Sequence, residues 1–187
     1  MTDVSYLSPA KINLFLHITS KRADGYHNLQ TVFQLLDFCD EISFSVRDDG
    51  QINRIKGNEG IAAEDDLLIK SARVLKKHSN SSLGVDISID KKIPTGGGLG
   101  GGSSNAATVL LALNELWQLN FSQQTLADIG LTLGADVPVF VFGRSAWAQG
   151  IGEILEPMNL PQYYYLVASI NKHISTAEIF SHKALTM

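Results

Sequence analysis

The sequence predicts an α+β fold, because strand-like and helix-like patterns both occur and do not alternate regularly. Residues 10–18 alternate apolar and polar side chains, which is the periodicity of a strand. Residues 85–90 show the same alternation, and apolar residues from Ala106 to Trp117 recur at the spacing of one helix face. Strands thus precede and alternate with helices without a strict βαβα order, which favours the α+β class.

The N-terminal part of the chain predicts three strands separated by turns. After the strand at 10–18, residues 29–38 are apolar enough for a second strand, and residues 41–46 alternate again. Residues 23–25 predict a turn, and the Asp-Asp-Gly sequence at 48–50 predicts a hairpin-like turn.

The middle of the chain favours helices. The acidic residues 64–66 predict the start of an amphipathic helix that ends near residues 76–78. Ser122 is suited to cap a further helix. Residues 137–142 are predicted as a short helix, because Pro138 suits a first helical turn and the apolar alternation is poor.

The C-terminal part of the chain predicts a domain boundary. Residues 157–161 are typical of a linker, residues 163–170 predict a strand, and residues 176–185 predict a weak helix. We therefore expect these residues to begin a second α+β domain that is cut short.

Composition indicates an ordinary globular protein. The 187 residues are 44% hydrophobic and 18% charged, with a net charge of −4. No apolar stretch approaches the roughly 18 residues of a membrane helix, and no long basic run favours nucleic acid or an anionic membrane as partner. The single cysteine excludes an intrachain disulfide, and no secretory signal is recognisable, so we expect a cytoplasmic protein.

A glycine-rich run at 94–104 is the strongest chemical signal in the chain. Six of the seven residues from Gly96 to Gly102 are glycine, which permits positive φ angles and close approach of the backbone to a ligand. Ser103 and Ser104 are suited to cap the helix that follows. A strand, a glycine turn and a helix start together predict a site for an anion such as phosphate. A flexible linker is the alternative, but linkers are rarely followed at once by a well-patterned helix.

Two other nucleotide-binding motifs fit the run poorly. Gly96, Gly98 and Gly101 match G-x-G-x-x-G, but no acidic residue ends a second parallel strand about 20 residues later, as a dinucleotide fold requires. A P-loop needs a lysine within the run, and the run has none. Another residue must therefore balance the charge of a bound phosphate.

Lys11 and Asp136 are the candidates for charged groups at this site. Lys11 and Asn13 lie two residues apart, so they share one face of the predicted strand. Lys11 could equally lie on a solvated strand face, and Asp136 could cap the short helix that contains Pro138. The sequence alone does not place Lys11 near Asp136.

Several segments of the chain resemble one family, the GHMP kinases. The run at 94–104 is similar to the phosphate-binding motif of that family, in the long form typical of members that phosphorylate 4-diphosphocytidyl-2-C-methyl-D-erythritol. The segments at 8–14, 24–31 and 134–138 also resemble those members, and the segment at 150–153 is similar to them too. The resemblance covers nearly the whole chain, and its motifs occur in the family's order.

The resemblance implies a fold and a division into domains. Residues 1–156 would form a GHMP kinase N-terminal domain, which resembles domain 2 of ribosomal protein S5 and binds ATP. Residues 157–187 would form a linker and the beginning of a C-terminal domain, and that domain would be truncated here.

The resemblance also implies a reaction, the phosphorylation by ATP of the 2-hydroxyl of 4-diphosphocytidyl-2-C-methyl-D-erythritol in non-mevalonate isoprenoid synthesis. Asp136 would take the hydroxyl proton or orient the hydroxyl. Lys11 would hold Asp136 ionised and stabilise the transferring phosphoryl group. Mg²⁺ would bridge phosphate oxygens with few protein ligands. The small-molecule substrate and ATP are the expected partners of a monomer or homodimer.

Further residues receive roles from the same resemblance. Tyr26 and His27 would recognise the cytosine, with Phe180 as a second stacking face. Asn13 and Thr176 would also contact this substrate. Residues assigned to ATP are Asp66, Lys91, Pro94, Thr95, Gly96, Gly97, Gly98, Leu99, Gly100, Gly101, Gly102, Ser103, Ser104 and Asn105.

Asp66 departs from the family pattern, and two alternative functions remain open. The family often has asparagine where this chain has Asp66, and a carboxylate cannot donate the hydrogen bond of an amide. One alternative is a nucleotide-binding module that does not catalyse. The other is a GHMP kinase that acts on homoserine, mevalonate or a sugar.

Overall fold

A computed structural model provides the structure of the protein and describes residues 3–57 and 60–168. It contains strands and helices in a mixed order, as the sequence predicted. The strands are β1 (Val4–Lys21), β2 (His27–Arg47), β3 (Ile52–Lys56), β4 (Gly84–Asp90), β5 (Ala146–Gln149) and β6 (Ile154–Pro157). The helices are α1 (Leu67–Ser79), α2 (Gly101–Leu116), α3 (Gln123–Leu131) and α4 (Val137–Phe142).

The long strand β2 organises the sheet. β1 runs antiparallel along one edge of β2 for nearly its whole length. On the other edge, residues 41–47 of β2 pair with β4, and residues 31–33 pair with β5. β3 and β6 extend the sheet on either side, and the β3–β4 pair is parallel. Residues far apart in sequence therefore meet along a single strand.

Two predictions about β2 were wrong. The strands predicted at 29–38 and 41–46 form one continuous strand. The turn at 48–50 exists, but it is not the turn of a hairpin, because β3 pairs with β4 and not with β2. Periodicity identifies a strand without identifying its partner, and here β4 lies between β2 and β3 in the sheet.

The strand predicted at 163–170 was also wrong for the part that the structure describes. Residues 163–168 have no regular secondary structure, and the side chains of Tyr164 and Leu166 are fully exposed. A strand is stabilised by pairing with a neighbour, and alternation of residues cannot supply that neighbour. The helix predicted at 176–185 lies outside the described residues.

Helices α1 and α3 begin where their capping residues predict. Asp66 precedes α1, and its side chain accepts a hydrogen bond from the N–H of Leu68 at 2.9 Å. Ser122 caps α3 by accepting from the N–H of Thr125 at 3.1 Å. The short helix predicted at 137–142 is α4. Among the described residues, no helix has the length and apolar character needed to span a membrane.

Helix α2 forms the centre of the hydrophobic core. It packs against the other three helices and against β1 and β2. The predicted apolar face of α2 is confirmed, since its members are buried. They are Ala106, Val109, Leu110, Leu113 and Trp117. Because this helix starts in the glycine run, the core fixes the position of that run.

We predict that the core side of α2 controls the stability of the domain. Leu110→Ala should lower the free energy of unfolding by about 2–5 kcal/mol, because it removes a fully buried side chain and leaves a cavity. Leu111→Ala on the exposed side of the same helix is the matched control and should cost much less. Urea unfolding followed by circular dichroism measures both, and equal losses would contradict the assignment of the buried face.

Candidate active site

One cavity of about 1280 Å³ gathers most of the residues singled out in the sequence. It is bounded by the glycine run, by β1 and the start of β2, and by the segment before α4. Of the predicted residues, Ser104 does not line it, and Thr176 and Phe180 lie outside the described residues. The predicted residues that do line it are Lys11, Asn13, Tyr26, His27, Asp66, Lys91, Pro94, Thr95, Gly96, Gly97, Gly98, Leu99, Gly100, Gly101, Gly102, Ser103, Asn105 and Asp136.

The glycine run itself supplies the start of α2. Gly100 is the N-cap residue with a φ of 71°, and no side chain caps the helix. The prediction that Ser103 and Ser104 cap α2 was therefore wrong, because both lie within its first turn. Ser104 instead accepts a hydrogen bond from the hydroxyl of Ser8 at 2.8 Å. An uncapped helix start leaves backbone N–H groups available for an anion at the edge of the cavity.

Two of the glycines allow close packing of the run against lysine side chains. A Cβ atom on Gly100 would lie 2.8 Å from the ring of Phe140 and 3.1 Å from Cε of Lys11. A Cβ atom on Gly101 would lie 2.9 Å from Nζ of Lys91. Side chains at these positions would displace the side chains of Lys11 and Lys91, which both border the cavity.

Lys11 is buried beside the glycine run and does not lie on a solvated strand face. The backbone N–H of Lys11 donates to the carbonyl of Leu99 at 2.9 Å, so β1 is hydrogen-bonded directly to the run. Its Nζ donates to Oδ1 of Asn13 at 2.7 Å and lies 3.2 Å from Oδ2 of Asp136. The ammonium also lies 5.4 Å from the ring centre of Phe33, which is cation–π distance. These contacts hold the ammonium group of Lys11 against Asn13 and Asp136.

Asp136 occupies the N-cap position of α4 but does not cap the helix with its side chain. Its backbone has helical dihedral angles, and no capping hydrogen bond forms. The carboxylate instead pairs with Lys11, which is 7% exposed, while the side chain of Asp136 remains 35% exposed. A charged pair with one accessible carboxylate can both bind and polarise a substrate group.

Sequence reasoning missed Asp40, a fully buried carboxylate in β2 behind the glycine run. It accepts from Nζ of Lys91 at 2.6 Å, from the N–H groups of Lys92 and Ile93 at 2.7 and 2.8 Å, and from Nδ2 of Asn105 at 2.8 Å. The available signal was an acidic residue inside an alternating strand pattern, with the apolar Phe38 and Ile42 two positions to either side.

The hydrogen bonds around Asp40 favour its charged form. Burial alone would raise the pKa of this carboxyl, but the donors outweigh burial and hold the pKa below its usual value. Lys91, the N–H of Ile93, Asn105 and the N–H of Lys92 contribute in that order. The charge of Asp40 therefore links β2 to the segment that leads into the glycine run and to α2.

Asp66 and Lys91, two residues that the resemblance assigns to ATP, are held by similar contacts. Asp66 is buried, and its carboxylate forms an ion pair with Arg54 at 2.6 Å while capping α1. Lys91 also donates to the carbonyl of Ile93 at 2.9 Å. Both residues line the cavity, but their charges are already directed toward protein groups.

The cavity has an aromatic side near the start of β2. Tyr26 is 58% exposed, and its neighbour His27 is largely buried. The N–H of Tyr26 donates to Asp24 at 3.1 Å, within the turn that precedes β2. A half-exposed ring beside a buried imidazole is suited to a flat heterocycle.

Comparison with known proteins defines the class to which this geometry belongs. Residues 66–144 match the GHMP kinases N terminal domain. The fold resembles Methanococcus jannaschii mevalonate kinase, with a TM-score of 0.61 and 13% identity, over 84% of this chain and 56% of that one. It also resembles Lactococcus lactis galactokinase, with a TM-score of 0.60 and 16% identity, over 85% of this chain and 48% of that one. The chain therefore has the fold of the GHMP kinase N-terminal domain.

Relatives with higher identity share a more specific name. Proteins called 4-diphosphocytidyl-2-C-methyl-D-erythritol kinase from Ruthia magnifica subsp. Calyptogena magnifica and Burkholderia mallei (strain SAVP1) are 61% and 55% identical over 183 and 180 residues. A crystal structure of 4-(cytidine 5'-diphospho)-2C-methyl-D-erythritol kinase matches with a TM-score of 0.74 and 40% identity, over 84% of this chain and 56% of that one. The resemblance predicted from the motifs is thus confirmed.

These matches also measure how much of the relatives the chain represents. The two alignments cover 98% and 96% of this chain, but 64% and 61% of the relatives. The chain therefore spans somewhat less than two thirds of the length of the curated relatives it matches.

We predict that the buried charge of Asp40 stabilises the domain above about pH 4. Asp40→Asn should lower the free energy of unfolding by about 3 kcal/mol at pH 7, because it breaks a buried ion pair. A carboxyl whose pKa is lowered by folding contributes stability above its unfolded pKa of about 3.9, and this contribution disappears as the pH falls through the folded pKa. Urea titrations from pH 7 downwards measure the difference between variant and wild type.

The exposed neighbour on the same strand provides the control for Asp40. Asp37→Asn removes a carboxylate from an exposed position of β2 and should change the free energy of unfolding little. If the free energies of unfolding of wild type and Asp40→Asn differ by the same amount at pH 7 and at acidic pH, a role for the charge is contradicted.

Proposed function

We propose that the chain is the ATP-binding part of a kinase that phosphorylates the 2-hydroxyl of 4-diphosphocytidyl-2-C-methyl-D-erythritol, in non-mevalonate isoprenoid synthesis. The observation that carries the proposal is the Lys11–Asp136 pair, 3.2 Å apart, in the same cavity as an uncapped, glycine-rich helix start. The name shared by the relatives at 55–61% identity supports the choice of substrate.

ATP is proposed to place its phosphates against the glycine run. The backbone N–H groups at the start of α2 offer hydrogen bonds and the positive end of the helix dipole. The φ angles of Gly96, Gly98 and Gly100 are all positive, so the run adopts a conformation in which successive N–H groups can converge on an anion. No lysine within the run is needed, because the ammonium of Lys11 borders the same space.

Asp136 and Lys11 are proposed to act on the reacting groups. Asp136 accepts the proton of the attacking hydroxyl or orients that hydroxyl toward the γ-phosphorus of ATP. Lys11 supplies positive charge next to both the carboxylate and the phosphoryl group. Phosphoryl transfer depends largely on positioning and charge stabilisation, so this pair requires no covalent intermediate.

Mg²⁺ is proposed to bind mainly through the phosphate oxygens of ATP. Among the described residues, no group of three or more His, Cys, Asp or Glu side chains could hold a metal ion. Mg²⁺ often uses only one or two protein oxygens together with phosphates. The hydroxyl of Ser103 and the carboxylate of Asp136 line the cavity and are oxygen ligands of the required kind. When bound, the ion would neutralise developing phosphate charge.

Tyr26 and His27 are proposed to recognise the cytosine, and Asn13 the reacting end of the substrate. All three line the cavity, Asn13 from β1 and the other two from around the start of β2.

The assignments of Thr176 and Phe180 to the substrate, and of Asp66, Lys91 and Asn105 to ATP, stay predictions. The division into residues 1–156 and 157–187 is likewise a proposal. So are a cytoplasmic location and a monomeric or dimeric state.

Replacing the catalytic pair is predicted to separate catalysis from nucleotide binding. Asp136→Asn should lower kcat by about 10²–10⁴-fold, because an amide cannot accept the hydroxyl proton. Lys11→Ala should lose a comparable part of the rate. ATP affinity, measured by calorimetry, should change little in Asp136→Asn, because the glycine run remains intact. Product formation from the cytidyl substrate gives the rate.

The same measurements test the two alternatives. ATP binding without phosphoryl transfer by the wild-type chain, at any substrate concentration, would favour a nucleotide-binding module that does not catalyse. Transfer that is unchanged in both variants would disprove the roles of Lys11 and Asp136. Transfer to homoserine, mevalonate or a sugar in preference to the cytidyl substrate would favour another GHMP kinase.

Recognition of the cytosine is predicted to depend on Tyr26. Tyr26→Ala should weaken binding of CMP by about 1–3 kcal/mol, the range for loss of a base-stacking side chain. Tyr163→Ala is the matched control, because Tyr163 is comparably exposed and does not line the cavity. Equal CMP affinity of wild type and Tyr26→Ala in calorimetry would reject the assignment.

A further inference from the structure

Thr31 lies on β2 directly opposite an irregularity in β1. Asn13 pairs with Phe33, and Leu16 pairs with Thr31, so β1 advances by three residues while β2 advances by two. The extra residue is a β-bulge in the part of β1 that carries Asn13 into the cavity. Thr31 is fully buried and does not line the cavity, so its hydroxyl serves other protein groups.

The hydroxyl of Thr31 joins the bulge to Asn13. Its Oγ1 donates to the carbonyl of Phe15 within the bulge at 2.5 Å and accepts from Nδ2 of Asn13 at 2.8 Å. A hydroxyl can donate only one hydrogen bond, and here the carbonyl of Phe15 accepts it. The Asn13 atom that faces Thr31 must therefore be the NH₂ group, because an amide oxygen in that place would meet no donor.

This directionality determines what Lys11 meets. With Nδ2 of Asn13 bound to Thr31, Oδ1 points to the ammonium of Lys11 and accepts from it at 2.7 Å. A reversed amide would present its NH₂ group to an ammonium, which has only donors. The ammonium that Asn13 holds is the one that lies 3.2 Å from Oδ2 of Asp136.

We propose that Thr31 is a positioning residue that acts through Asn13 to hold the ammonium of Lys11 against Asp136. The chain of hydrogen bonds runs from the Phe15 carbonyl through Thr31 and Asn13 to Lys11, and each bond sets the direction of the next. Because threonine is β-branched, its side-chain rotamer is restricted, which keeps the hydroxyl in place. The part of the inference that concerns phosphoryl transfer rests on the proposed function.

The hydrogen-bond chain is tested first without any enzymatic assay. The full chain, with Thr31→Val, Thr31→Ser and wild-type sequences, is treated briefly with acetic anhydride, and acetylation of each lysine is followed by mass spectrometry. Lys11 in Thr31→Val should react about tenfold faster relative to the exposed Lys77, because the ammonium loses a charged hydrogen bond. Thr31→Ser keeps the hydroxyl and should behave like wild type.

A folding check and a control variant make this test decisive. Valine has nearly the shape of threonine and favours strands, and circular dichroism verifies that the variant is folded. Thr19→Val is the matched control, because it removes an exposed hydroxyl that donates to Asn28 between the same two strands. Equal Lys11 reactivity in wild type and Thr31→Val overturns the inference. Equal acceleration in Thr31→Ser or in Thr19→Val overturns it as well.

Turnover then tests the link to catalysis. Thr31→Val should lower kcat about tenfold to a hundredfold, as expected for a small misplacement of a catalytic group, while KM for ATP stays within about twofold. An unchanged kcat in a variant whose Lys11 has become reactive would overturn the positioning role. Absence of turnover in the wild-type chain would count against the proposed function, while the acetylation result would still decide whether Thr31 holds Asn13 and Lys11.

Discussion

The buried carboxylate of Asp40 is the constraint on which the rest of the site depends. A charge removed from water must be met by donors, and here the donors come from two other parts of the chain, residues 91–93 and α2. β2, the segment that enters the glycine run, and α2 are thereby fixed relative to one another. Lys11 adds a second link, since its backbone N–H binds the carbonyl of Leu99 within the run. The glycine run is thus held in place by the ion pair and hydrogen bonds of Asp40 and by the backbone of β1.

Much of the local structure could be predicted from the sequence, because it depends on residues close together in the chain. The caps of α1 and α3, the buried face of α2 and the short helix α4 all follow from side chains within one or two turns. The glycine run predicted an anion site for the same reason. The exception was the start of α2, where Gly100 and Gly101 begin the helix and leave no capping role to the serines.

The parts that could not be predicted depend on which distant residues meet. Nothing local in the sequence indicates that β4 lies between β2 and β3, or that residues 163–168 lack a pairing strand in the part of the chain that the structure describes. Asp40 and Thr31 escaped notice because their importance comes from donors and acceptors far away in sequence. The Lys11–Asp136 pair was only suspected, and its 3.2 Å separation required the tertiary fold.

The pairing of β5 with β2 also governs when the site can form during synthesis of the chain. Lys11 leaves the ribosome well before Asp136 and the strand that follows it. β1 and β2 can pair early as neighbours, but the opposite charge that completes the site has to wait for a long-range closure. A nascent chain that has only reached α2 therefore already carries the glycine run and Lys11, but it lacks the carboxylate partner of that lysine.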